Sequence, residues 1–221
     1  MSESNTIFDD LENEKTNYYI GLFSGLGCLN KKKSFIVSVT KKHEDLAVKI
    51  AQDINSNKPL RFSKREDGRQ NNILVEIYGL NIINKLYELE LQKSSSVRVS
   101  FPKQEHYSNN FLKDFIRGYF DAKGEIDIRY KIDDSANLVV SINGHQNFCG
   151  TLKDIISEKL NIEIFSRIVS LKASTVKLMI ENTQGALKFI NWLYEGANIY
   201  SNDNIKRYNE AKEIHTRRNL F

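Results

Sequence analysis

Residues 21–27 read Gly-Leu-Phe-Ser-Gly-Leu-Gly and residues 118–124 read Gly-Tyr-Phe-Asp-Ala-Lys-Gly, so glycine, aromatic, small residue and glycine recur in register 97 positions apart. A duplicated motif in a chain of 221 residues restricts the fold to two copies of one unit. Positions i and i+4 share a helical face, and residues no larger than alanine there let two backbones approach closely. Gly21 with Gly25, and Gly118 with Ala122, therefore predict one helix from each copy at a tight seam. Gly27 and Gly124 fall where those helices should stop, the place for a left-handed residue.

The segments downstream of the two motifs correspond as well. The first copy continues with alternating Phe35, Val37 and Val39, then a helical run of Leu46, Ile50 and Ile54. Strand-like runs from Leu60 to Arg65 and Ile73 to Ile77 come next, and a helical run from Leu80 to Leu91 closes it. The second copy repeats the order: Ile126, Ile128 and Tyr130; Leu138, Val140 and Ile142; the helical Leu152, Ile155, Ile156 and Leu160; Ile162 to Val169; Val176 to Ile180; and a helix through Ala186, Phe189, Ile190 and Leu193. Each half reads αββαββα, an α+β fold. The predicted organisation is an acidic tail over 1–15, a first repeat over 16–93, a linker over 94–108, a second repeat over 109–200 and a terminal helix or tail over 201–221. Asn109 or Asn110 is the predicted N-cap of the second motif helix.

Composition narrows the function classes. No run of about 18 apolar residues exists to span a membrane, and the first fifteen residues hold five acids against one base, unlike a secretory or transit signal. A cytoplasmic, nucleoid-associated or otherwise intracellular protein is the expectation. Cys28 and Cys149 are too few for a disulfide framework or a four-ligand zinc site, and no cofactor or metal is expected. Beyond the acidic tail the chain carries 31 basic and 23 acidic residues, which favours a polyanionic partner. The excess is uneven: residues 28–65 sum to +7, and 125–172 to −1.

The helix Phe115-Ile116-Arg117-Gly118-Tyr119-Phe120-Asp121-Ala122-Lys123-Gly124, the Val99-Ser100-Phe101-Pro102 lead-in and the stretch from Trp192-Leu193-Tyr194-Glu195 to Lys206-Arg207-Tyr208 resemble the single-chain, two-repeat LAGLIDADG homing endonucleases. The resemblance spans most of residues 16–210. It implies two pseudo-symmetric repeats whose four-stranded antiparallel sheets form a saddle over DNA, with the motif helices packed at the centre. It also implies one acid immediately before the last glycine of each motif, where two carboxylates hold the divalent metals that activate water. Here those positions are Leu26 and Lys123, neither a magnesium ligand, and a lysine there repels a divalent cation. Asp121 matches an earlier motif aspartate that serves helix capping or packing, and Glu125 and Asp127 lie just beyond the helix.

Alternation along Glu125 to Ile132 sets Ile126, Ile128, Tyr130 and Ile132 on one side and Glu125, Asp127, Arg129 and Lys131 on the other. The second side is free to meet base edges in a groove. Candidate DNA contacts are Lys31, Lys32, Lys33, Arg61, Ser63 and Arg65 in the first half and Arg129, Lys131, Asn137, Ser141 and Asn143 in the second. His145 and Cys149 share a predicted helix without enough partners to form a metal site, and Trp192, Leu193 and Tyr194 are expected to pack rather than stack on bases. Three functions fit: a sequence-specific double-stranded DNA-binding protein without nuclease activity, a transcriptional regulator of a phage or mobile element being the natural case; an active endonuclease with displaced metal ligands; and an intron maturase that binds structured RNA. With both repeats in one chain, a monomer is expected.

Overall fold

A computed structural model describes residues 6–30, 34–54, 59–63, 72–91, 100–130 and 136–218. The order is α1 (Glu14–Leu26), β1 (Gly27–Leu29), β2 (Phe35–Thr40), α2 (Glu44–Asp53), β3 (Arg61–Ser63), β4 (Asn72–Ile77) and α3 (Leu80–Glu88). The same sequence of elements recurs as α4 (Leu112–Lys123), β5 (Gly124–Tyr130), β6 (Ala136–His145), α5 (Gln146–Leu160), β7 (Phe165–Ser170), β8 (Thr175–Ile180) and α6 (Thr183–Tyr194), and α7 (Asn202–Arg218) ends the described chain. Two four-stranded antiparallel sheets result, ordered β1-β2-β4-β3 and β5-β6-β8-β7. The αββαββα expectation holds in both halves.

The chain forms two compact units, Met1–Val97 with Pro102–Ala122 and Arg98–Phe101 with Lys123–Phe221. In the first, α1 is buried on every side from Thr16 to Gly25, as suits a helix enclosed by the core. Asn13 caps it, its side-chain oxygen accepting from the amides of Lys15 and Thr16. Phe23 joins the packing, its ring centroid 5.7 Å from Phe8, 5.7 Å from Tyr19 and 5.3 Å from Phe35.

The other motif helix, α4 up to Ala122, packs on α1 within this unit. A Cβ built on Gly21 would lie 1.9 Å from the Phe115 carbonyl oxygen, and one on Gly118 would lie 1.9 Å from that of Tyr18. Only glycine fits either place. Gly25 is buried in the same helix and Ala122 is half-buried. The Arg117 side chain, fully buried, reaches Glu14 and Asp114, each at 2.7 Å, with its guanidinium carbon 5.6 Å from the centre of the Tyr18 ring. Burial raises the Asp114 carboxyl above its ordinary range, and Arg117 pulls the other way.

Several local expectations are corrected. Gly27 is extended (φ −92°, ψ 151°), and Gly124 is not left-handed either, because in both copies the chain leaves the helix directly into a strand. Gly27 is needed for space instead: an added Cβ would meet the Phe35 ring at 2.3 Å. Ser108, not Asn109 or Asn110, is the cap before α4, accepting from the Asn110 amide ahead of a short 3-10 turn over Asn109–Phe111. His145 ends β6 and caps α5 by accepting from the Asn147 amide, so it does not share a helix with buried Cys149.

In the second unit, Leu138, Val140 and Ile142 of β6 are buried with Phe148, Leu152 and Ile156 of α5 and Phe189, Ile190 and Leu193 of α6. Trp192 packs near Phe189 at 6.3 Å, and Tyr194 lies 5.7 Å from Tyr208 of α7. Within the described residues the terminal segment is thus helical over Asn202–Arg218.

Candidate nucleic-acid interface

Register decides which side chains share a face, because residues directly opposite on antiparallel strands point the same way. In the first sheet Phe35, Val37 and Val39 of β2 and Ile73, Val75 and Ile77 of β4 are buried, and the intervening positions are not. The other face is therefore built from Cys28, Ile36, Ser38, Thr40, Asn72, Leu74 and Glu76, with Arg61 opposite Leu74 and Ser63 opposite Asn72. Arg61 and Ser63 stand where alternation put them.

Arg61 is not free, however. Its Nη1 donates to Glu76 Oε1 at 2.8 Å, while the Tyr78 hydroxyl donates to Glu76 Oε2 at 2.6 Å and its pKa is raised mainly by that bond. Close by, Asn72 Nδ2 donates to Ser38 Oγ at 3.0 Å.

The second sheet repeats the geometry. Glu125, Asp127 and Arg129 share a face with Asn137, Val139, Ser141 and Asn143, and beyond them lie Lys177, Met179, Phe165 and Arg167. Arg129 Nε donates to Asp127 at 2.7 Å, and Lys177 Nζ lies 3.8 Å from Glu125. Asn137 is exposed and Asn143 half-buried, but Ser141 retains only 5% exposure. Ser141 stands on the side that alternation gave it, opposite Glu125 on β5 and Met179 on β8, and is the most covered of the three. Tyr130 faces the packed side by register, yet its ring is exposed and its hydroxyl donates to Glu210 of α7 at 2.8 Å. Lys31, Lys32, Lys33, Arg65 and Lys131 lie outside the described residues.

Two cations on this face escaped the sequence reading. Arg167 and Lys177 stand directly opposite each other on β7 and β8. The signal was the repeat itself. Gly27 pairs with Val37 and Val37 with Val75, as Gly124 pairs with Ile142 and Ile142 with Leu178, so Leu74 corresponds to Lys177 and Arg61 to Arg167.

Neither motif helix ends in a carboxylate. Leu26 closes α1 and Lys123 closes α4, both half-buried. Asp121 is buried and accepts from the Tyr18 hydroxyl at 2.7 Å, which commits it to the helix seam. Among the described residues no group of three or more His, Cys, Asp or Glu side chains could hold a metal ion. Nor is any described helix long and apolar enough to cross a membrane.

No family model and no curated protein matches the sequence. Solved structures do match the fold. The homing endonuclease I-GzeII in complex with its DNA target aligns with a TM-score of 0.63 at 13% identity, covering 95% of this chain and 93% of that one. I-SmaMI bound to uncleavable DNA gives 0.60 at 14% identity over 92% and 91%, and I-AabMI bound to uncleaved DNA 0.57 at 10% over 94% and 91%. The duplicated motif, the paired sheets and this likeness over nearly the whole length agree: the chain has the LAGLIDADG homing-endonuclease fold.

Proposed function

We propose that this protein is a LAGLIDADG-type double-stranded DNA-binding protein that recognises a specific sequence without cleaving it, acting inside the cell as a transcriptional regulator of a phage or mobile element. The observation that carries the reading is the combination of Leu26 and Lys123 at the two motif ends with polar, cation-bearing open faces on both sheets. A strand-borne row of Arg, Lys and Asn side chains suits the major groove, where arginine and lysine read guanine and asparagine reads adenine. Support for DNA as the ligand comes from I-GzeII and I-SmaMI, whose structures were solved with DNA. Lys31, Lys32 and Lys33 serve phosphates in this reading, and one monomer supplies both sheets.

The neighbours are themselves homing endonucleases, which favours a second reading in which displaced carboxylates support cleavage; Glu125, exposed and two residues past the end of α4, is the available candidate. Selection of bound fragments from a random duplex library, followed by incubation of the enriched site with magnesium or manganese, separates the two. Enrichment with intact duplex supports the proposal. Double-strand cleavage that disappears in Glu125→Gln overturns it, and enrichment only from a structured RNA library moves the ligand to RNA. Replacing Lys31, Lys32 and Lys33 together by alanine lowers affinity for specific and random duplex alike, and the log-log salt slope falls by about 0.9 for each phosphate no longer neutralised.

A further inference from the structure

Glu76 is the one acid among the described residues of the first open face, and it is set into that face rather than displayed on it. Its side chain is 12% exposed, whereas Arg61 above it is 63% exposed. Both carboxylate oxygens are engaged, one by Arg61 and the other by Tyr78. A carboxylate loses hydration when covered, and an ion pair with an exposed arginine returns little stability. On a surface that meets a polyanion, an acid also works against affinity. What the pair does achieve is orientation: one of the five guanidinium N–H donors is spent on Glu76, and the rest of the planar fork is held in place for a ligand.

The second sheet provides an internal comparison. Arg167 is the repeat mate of Arg61, and Met179 occupies the place of Glu76. Directly opposite Arg167 is Lys177, so this arginine stands beside a like charge rather than an acid. An arginine that only neutralises phosphate gains from such surroundings. One that must present two donors to guanine O6 and N7 gains from a fixed plane.

Resting on the DNA-binding reading proposed for this fold, we propose that Glu76 is a positioning residue that holds Arg61 to read a guanine, and that Arg167 contacts phosphate. Base selectivity is thus concentrated at Arg61 at some expense of affinity.

The test is equilibrium binding of the full chain to the selected duplex, to each of its single-base-pair variants and to a random duplex. Arg61→Ala is expected to erase a preference of about tenfold or more at one guanine. Glu76→Gln is expected to reduce that same preference severalfold while affinity for random duplex does not fall, and adding it to Arg61→Ala costs no further selectivity. Arg167→Ala should lower affinity for all sequences alike and leave the preference profile intact. Tyr78→Phe removes one partner of the carboxylate without changing charge and should weaken the same preference by a smaller factor, so a folding defect in Glu76→Gln does not shelter the proposal. An unchanged profile in both Glu76→Gln and Tyr78→Phe, or an equal loss on all sequences in Arg61→Ala, overturns it. Failure of the unsubstituted chain to bind any duplex overturns the DNA-binding reading as well.

Discussion

Gly21 and Gly118 each lie against a carbonyl of the other's helix, and the two contacts are related by the repeat. Gly21 faces the Phe115 carbonyl and Gly118 the Tyr18 carbonyl, and Tyr18 is to Phe115 as Gly21 is to Gly118, 97 positions apart. The motif is therefore a steric requirement of a two-fold helix pair. Neither position has room for a methyl group.

Gly21→Ala and Gly118→Ala should each destabilise the protein by about 2–4 kcal/mol, because the clash is with backbone that moves only if the helices separate. Gly150 in α5 has open space around it. Gly150→Ala should instead stabilise by about 0.5–1 kcal/mol through helix propensity. Urea unfolding of the three variants checks the contrast.

The hydrogen bond from Tyr18 to Asp121 breaks the pseudo-symmetry of the seam, since its repeat mates are Phe115 and Ser24 and the Ser24 hydroxyl donates to the Ile20 carbonyl. Tyr18→Phe should cost about 1–3 kcal/mol, because a buried carboxylate loses a donor. Phe115→Tyr should not recover this loss when combined with Tyr18→Phe, as Ser24 is already engaged. Unfolding of the single and double variants measures both effects.

Asp114 sets a pH dependence of definite sign. Its folded-state pKa lies above the ordinary 3.8, chiefly through burial and despite Arg117. The folded state then holds the proton more tightly than the unfolded chain, so this group's contribution falls as pH rises from about the unfolded value through the folded one. Relative to Asp114→Asn, the wild type should lose stability across that window. Urea unfolding at closely spaced pH values between about 3.5 and 6 would show a flat difference if the carboxyl were unshifted.

The two thiols should react very differently. Cys149 is buried and its pKa is pushed up to about 12 by desolvation, whereas Cys28 is half-buried on the open face of the first sheet. Alkylation of the native protein near pH 8 should label Cys28 first and leave Cys149 unmodified until unfolding. Mass mapping of the labelled peptides reports the order.

The sequence alone was sufficient for the repeat, the order of elements, the glycine seam and the side of each strand on which Arg61, Ser63, Arg129, Asn137 and Asn143 stand. These come from local periodicity and from comparing one half with the other, since a period of two or of 3.6 is written into adjacent residues. The absence of a carboxylate at Leu26 and Lys123 was equally plain. What only the tertiary structure decided was which partners those side chains meet. Arg61 finds Glu76 because the β3–β4 register sets Arg61 opposite Leu74, two positions from that carboxylate. Ser141 is covered because its flanking strands bring Glu125 and Met179 to either side. Arg117, which reads as a surface charge on a helix, is buried because Glu14, from more than a hundred residues away, and Asp114 close around it. Such pairings are set by backbone register and helix approach across long stretches of chain, and local sequence pattern does not encode them.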